Sequence, residues 1–195
     1  MQSGKAKILE AGKSLPSAGG PSFSLENRLL RAAWIVVWAL AAAWTPRHLA
    51  GWRRAVLRLF GARMAPGSDV RGSARVWLPA NLVLHENALI GPRVSCYNMG
   101  LVTLGAGALV SQGAHLCAGT HDVDDPNFQL RARPIEIGAH AWIAAEAFVA
   151  PGARIGEGAV VGARCVAFGE LLPWTVYSGN PARAVRPRHR SARSR

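Results

Sequence analysis

From residue 135 onward, a large aliphatic or small apolar residue recurs at every sixth position: Ile137, Ile143, Val149, Ile155, Val161 and Ala167. Two places before each stands a further apolar residue, namely Ile135, Ala141, Ala147, Ala153, Ala159 and Cys165. Directly after each comes Gly138, Ala144, Ala150, Gly156, Gly162 or Phe168. A helix repeats near 3.6 residues and a strand every 2, so a strict period of six fits neither alone. It fits a coil of three short flat strands, with about eighteen residues per turn. One large side chain per strand points inward and a small one fills beside each corner, where glycine suits a tight bend. Stacked coils then pair each strand with the one a turn above, which satisfies the backbone.

The frame continues backwards with two-residue slips. Leu104, Val110 and Leu116 form one triplet, Leu84, Ile90 and Cys96 another, and Val70 with Val76 begins the first coil. The pattern therefore predicts an all-β parallel solenoid of four to five coils over residues 63–182. It breaks once, between Leu116 and Ile137. The stretch AGTHDVDDPNFQLRARP is too polar to continue the prism, and a loop insertion at 118–134 in so regular a fold is a candidate for function.

Upstream of the solenoid the periodicity turns helical, which predicts a helical segment over residues 23–62. The most apolar stretch, Ala32–Trp44, would reach only about 20 Å as a helix, against about 30 Å of membrane hydrocarbon. It is too short to span. Its AAA at 41–43 resembles a signal-peptide cleavage site, but the arm before it is long for that role. Leu30, Trp34 and Trp38 share one stripe by i, i+4 spacing. A second helix over Gly51–Phe60 is expected to turn Trp52, Ala55, Val56, Leu59 and Phe60 inward and Arg53, Arg54 and Arg58 outward. Core packing accounts for these aromatics best, with peripheral membrane contact through residues 23–60 as the second reading. Residues 1–22, rich in Gly, Ser, Lys and Pro, are expected to be disordered.

The formal charge of +12 suggests a nucleic-acid partner until it is located. Residues 1–63 carry ten basic and two acidic groups, residues 64–133 five of each, residues 134–182 two and four, and the tail 183–195 six arginines with no acid. The charge sits at the ends and the body is nearly neutral. A nucleic-acid groove needs the reverse, so none is expected. Three cysteines without C-x-x-C spacing argue against a disulfide framework and favour a reducing, cytoplasmic compartment.

The insertion opens with Thr120-His121-Asp122. A histidine titrates near neutrality, which suits removing a proton from a hydroxyl as it attacks a thioester. The order YN … GAHLCAGTHD … PIEIG … AWIA … PGARIGEGAVVGA … GNPAR resembles the hexapeptide-repeat sugar O-acetyltransferases, over about residues 23–187. Within that group the nearest likeness is to the colanic-acid-biosynthesis acetyltransferases, which also carry a short N-terminal helical region with Arg and Trp.

The resemblance implies a left-handed parallel β-helix, assembly as a homotrimer with sites between neighbouring prisms, and acetyl-CoA as co-substrate with no metal. The acceptor is a saccharide, lipid-linked at the inner face of the membrane in one version of this reading. His121 matches the general base. Asn98, beside Tyr97, matches a residue that holds the sugar. Trp142 matches an aromatic beside the CoA arm, while Ala145, Ala163 and Arg183 match positions along the CoA track. Transfer would be direct, and Asp122, Asp124 or Asp125 could orient the imidazole. One departure stands out: Phe168-Gly169 occupies the place where relatives carry Thr-Lys, which leaves Arg183, Arg186 or Arg188 to meet CoA phosphates.

Two other readings compete. The γ-class carbonic anhydrases share the prism and bind zinc through three histidines, for which His115, His121, His140 and His85 are available. However, His115-x5-His121 is one residue longer than their usual pair. A non-catalytic scaffold is the other reading.

Overall fold

In the computed structural model, which describes residues 6–189, each of the frame residues named above is buried, and so is each residue two places before the frame positions from 137 to 167. Residues 1–5 and 190–195, the outer parts of the arm and the basic tail, lie outside the described residues. The buried rows form the inside of a three-sided solenoid. Its first face stacks Arg63–Met64, Leu82–Leu84, Val102–Leu104, Ile135–Ile137, Arg154–Ile155 and Glu170–Leu171. The second stacks Asp69–Val70, Leu89–Ile90, Leu109–Val110, Trp142–Ile143, Val160–Val161 and Thr175–Ser178. The third runs from Arg75–Val76 through Ser95–Tyr97, His115–Cys117 and Phe148–Val149 to Val166–Ala167. Pairing between successive coils is parallel, and like residues stack: Leu104, Ile137 and Ile155 lie in one register. Five coils are complete, and a partial sixth is closed by the antiparallel strand Arg183–Pro187.

The glycines after the frame residues serve a purpose other than the expected one. Gly138 and Gly156 do not have positive φ. A Cβ on Gly138 would lie 2.6 Å from the nitrogen of Glu157, and one on Gly156 would lie 2.4 Å from that of Pro173, so both are required by the coil above. The left-handed bend falls two residues later, at His140 and Gly158.

Among the described residues, three α-helices precede the solenoid. Helix α1 (Ala11–Ser14) is a single turn. Helix α2 (Leu25–Ala41) is capped by Ser24, whose side chain accepts from the Asn27 amide. It lies along the third face, where the Trp34 indole donates to the Val76 carbonyl at 2.7 Å and Trp38 to that of Gly72 at 3.1 Å. Helix α3 (Ala50–Leu59) packs on the first coil and adds Val56 and Leu57 to a core that runs on to Tyr177.

The facing of α3 differs from the expected one. Arg53 is buried, whereas Trp52 and Leu59 are exposed. The reason is local chemistry: the Arg53 guanidinium meets the Asp69 carboxylate at 2.9 Å and also donates to the carbonyls of Thr45, Pro46, Arg47 and Val70. A charge so fully partnered can be buried, which the apolar pattern alone does not reveal.

From Ala6 the N-terminal arm follows a defined path in place of the unstructured one its composition suggests. Ile8 bridges to Phe23, and α1 rests on the polar insertion.

Candidate active site

The insertion is an antiparallel hairpin, Gly119–His121 against Leu130–Ala132, that leaves the solenoid at the corner between the third and first faces. Its root fits because Gly119 has no side chain: a Cβ there would lie 2.1 Å from the Met99 methyl carbon and 3.1 Å from the Tyr97 ring. At the hairpin's far side, Gln129 accepts from the Ala11 amide at 2.6 Å and donates to the Leu9 carbonyl at 3.1 Å, so the N-terminal arm straps the hairpin down.

His121 sits at the end of the first hairpin strand and is exposed. Its Nδ1 lies 2.8 Å from the carbonyl oxygen of Phe128, and its ring stacks on that of Phe128 with centroids 4.4 Å apart and planes 14° from parallel. A carbonyl oxygen only accepts, so Nδ1 carries the hydrogen and Nε2 presents a lone pair. The imidazole is thus oriented by a main-chain carbonyl and not by a carboxylate. Asp122 instead pairs with Arg131 at 3.3 Å, and Asp125 caps the Asn127 amide.

Tyr97 is half-buried beside the hairpin root and stands edge-on to Trp77 at 5.7 Å. Burial pushes its phenol above the usual range, with Cys117 adding to the effect and Arg31 opposing it. The group is therefore a neutral hydroxyl at physiological pH. Asn98 is wholly buried. Its Oδ1 accepts from the amides of Trp77 and Leu78, and its Nδ2 donates to the Leu78 carbonyl. These bonds pin the corner at 77–81 and leave the amide with no exposed surface.

The residues expected along the CoA track lie elsewhere on the prism, on or beside its second face. Trp142 projects from the second face, 42 % exposed, with its indole donating to Ser111 Oγ at 2.9 Å. Ala145 and Ala163 occupy the corner between the second and third faces, one coil apart, and the Ala145 carbonyl accepts from the Arg164 amide. Arg183 is exposed on the closing strand, opposite Ser178. Arg188 is committed otherwise: it donates to the carbonyls of His140 and Gly158, with its guanidinium over the Trp174 ring. Phe168 is exposed beside Gly169. An outward tryptophan, open corner backbone and an unburied arginine suit the pantetheine and phosphate parts of a CoA molecule, so the residues present fit that group.

Phe128, whose carbonyl meets His121, and Gln129, which ties the hairpin to the N-terminal arm, carry no mark in the sequence. Both act through main-chain atoms or meet main-chain partners, and such contacts leave no signature in residue types. The histidines weighed as zinc ligands are dispersed: His115 on the third face, His121 on the hairpin and His140 at the corner between the first and second faces. Among the described residues, no group of three or more His, Cys, Asp or Glu is placed to share a metal ion.

No protein-family model matches the chain. A curated relative does: the colanic acid biosynthesis acetyltransferase WcaF of Escherichia coli (strain K12) is 42 % identical over 162 residues, covering 83 % of this chain and 89 % of that protein. Among solved structures, a hexapeptide-repeat-containing acetyltransferase of Vibrio cholerae O1 biovar eltor, complexed with acetyl coenzyme A, superposes with a TM-score of 0.76. It is 20 % identical, with 93 % of this chain and 100 % of that one covered. A galactoside acetyltransferase in complex with coenzyme A gives a TM-score of 0.71 at 17 % identity, covering 92 % and 91 %.

Proposed function

The chain belongs to the hexapeptide-repeat acetyltransferases, and on that premise we propose that it moves an acetyl group from acetyl-CoA directly onto a saccharide hydroxyl, with His121 as the general base. The acceptor would belong to exopolysaccharide or cell-surface glycan synthesis, as the name of the 42 % identical relative suggests, and the three free cysteines suit a reducing, cytoplasmic setting for it. The observation that carries the reading is the 2.8 Å contact of His121 Nδ1 with the Phe128 carbonyl oxygen. Because Nδ1–H is held by the Phe128 carbonyl, Nε2 is free to take the hydroxyl proton while the oxygen attacks. Bound acetyl-CoA would supply the thioester. As the C–S bond breaks, the proton on Nε2 passes to the departing sulfur, which returns the imidazole to its starting form. Burial pushes the thiol of Cys96 up to about 12 and raises that of Cys165 as well, so neither is a thiolate ready to form an acyl-enzyme. The test is a thiol-release assay with acetyl-CoA across a panel of sugars. Acceptor-dependent release is expected, and release that ignores every hydroxyl compound offered would remove the reading.

The placement of the parts also supports a homotrimer with shared sites. His121 leaves from one edge of the third face, whereas Ala145 and Ala163 line its other edge and Trp142 lies beyond it. One prism therefore points its base and its CoA residues in different directions. A closed ring of prisms brings the base of one copy to the CoA track of the next. Co-refolding a His121→Ala chain with a Trp142→Ala/Arg183→Ala chain should then restore activity at about a quarter of the sites, by random assortment round the ring. Activity no greater than that of the separate variants would mean each chain works alone.

A further inference from the structure

Helix α2 is apolar on both sides, and only one side is used. Trp34 and Trp38 face the solenoid. Leu25, Leu29, Val36 and Leu40 project outward along the other side, with exposures between 55 and 74 %. A helix at a protein surface normally turns polar residues there, and an apolar stripe of this length marks an interaction surface. Beyond the end of α2 the stripe continues through Trp44 and Trp52, which are 70 % and 51 % exposed. Their indole N–H groups donate back to the carbonyls of Leu40 and Ala41, at 2.8 and 2.7 Å, so the polar edge of each ring is satisfied within the protein.

The charge around this stripe has one sign. Arg28, on α2, and Arg47, just after it, are exposed, and the one acid between Leu25 and Arg63 is Glu26, which is paired with Lys7. We infer that this face docks on an anionic lipid surface, with α2 lying in the plane of the interface. An apolar stripe with flanking tryptophan and arginine is the pattern such a surface takes up. Anionic headgroups complement the exposed Arg28 and Arg47. Docking is the mode available to α2, because no helix among the described residues is long and apolar enough to cross a membrane. The placement also has a use. A groove of about 700 Å³ between α2 and the third face is lined by Ile35 and Ala39 at one side and by Tyr97 at the other. Docking brings the acceptor side of the site close to the lipid plane.

Flotation of the full chain with vesicles tests this. Vesicles of phosphatidylglycerol and phosphatidylethanolamine should carry the protein, with a blue shift of tryptophan emission as Trp44 and Trp52 leave water. A Leu29→Glu/Leu40→Glu variant changes two exposed side chains and should keep the wild-type unfolding midpoint and oligomeric mass, yet bind about tenfold more weakly. Absence of wild-type binding, or equal binding by the variant, would overturn the inference. So would a fall in the variant's oligomeric mass, which would make this face a contact between copies of the chain.

Discussion

Replacement of His121 by alanine is expected to lower kcat/KM for acetyl transfer by about 10²–10⁴-fold, the usual contribution of a positioned general base. The change should fall on the chemical step. His121 is exposed and contributes nothing to the solenoid core, so the fold and the CoA-track residues Trp142 and Ala163 stay as they are. CoA binding measured by calorimetry should therefore be unchanged. His121→Gln keeps a polar side chain but offers no basic nitrogen, and it should lose as much as alanine. Phe128→Ala should lose far less, because the orienting group is the main-chain carbonyl and only the stacked ring is removed. The pattern of two severe variants and one mild one separates a base from a residue that merely lines the cleft. Wild-type-like turnover by His121→Ala would remove the mechanism proposed for this site.

The solenoid was legible because its cause is one-dimensional. A side chain that must point into a narrow prism every sixth residue leaves a periodic trace, and Ile137, Ile143 and Val149 are buried where that period puts them. The polar break after Leu116 was legible for the same reason, since a hairpin that leaves the prism has no inward row to fill. What the period does not carry is contact between segments distant in sequence. The 129–9 and 129–11 hydrogen bonds that strap the hairpin are of this kind, as is the burial of Arg53 against Asp69. Asn98 shows a subtler limit. Its place beside Tyr97 is as the resemblance has it, but whether an amide faces an acceptor or the backbone of Leu78 depends on side-chain direction, which residue order does not encode.

The same limit sets up the largest stability effect. Arg53→Ala is expected to destabilise the protein by about 3–5 kcal/mol, the cost of breaking a buried ion pair from one side. The side chains of Arg53 and Asp69 are 1 % and 8 % exposed, so water cannot replace the lost partner cheaply. Asp69 would keep one cation, since Arg71 lies 3.0 Å away, and this holds the loss within that range. The carbonyls of Thr45, Pro46, Arg47 and Val70 would lose the donor that ties the α2–α3 connection to the first coil. An Arg53→Met/Asp69→Leu double variant removes both charges and should recover part of the stability. It should not recover all, because those carbonyls still lack a donor. Urea titrations at one protein concentration would show the change as a shift in midpoint with little change in slope. The pair lies at the first coil, away from the hairpin, so molecules that remain folded should turn over at the wild-type rate. A loss below about 1 kcal/mol would place Arg53 with ordinary surface charges and leave its burial without an energetic reason.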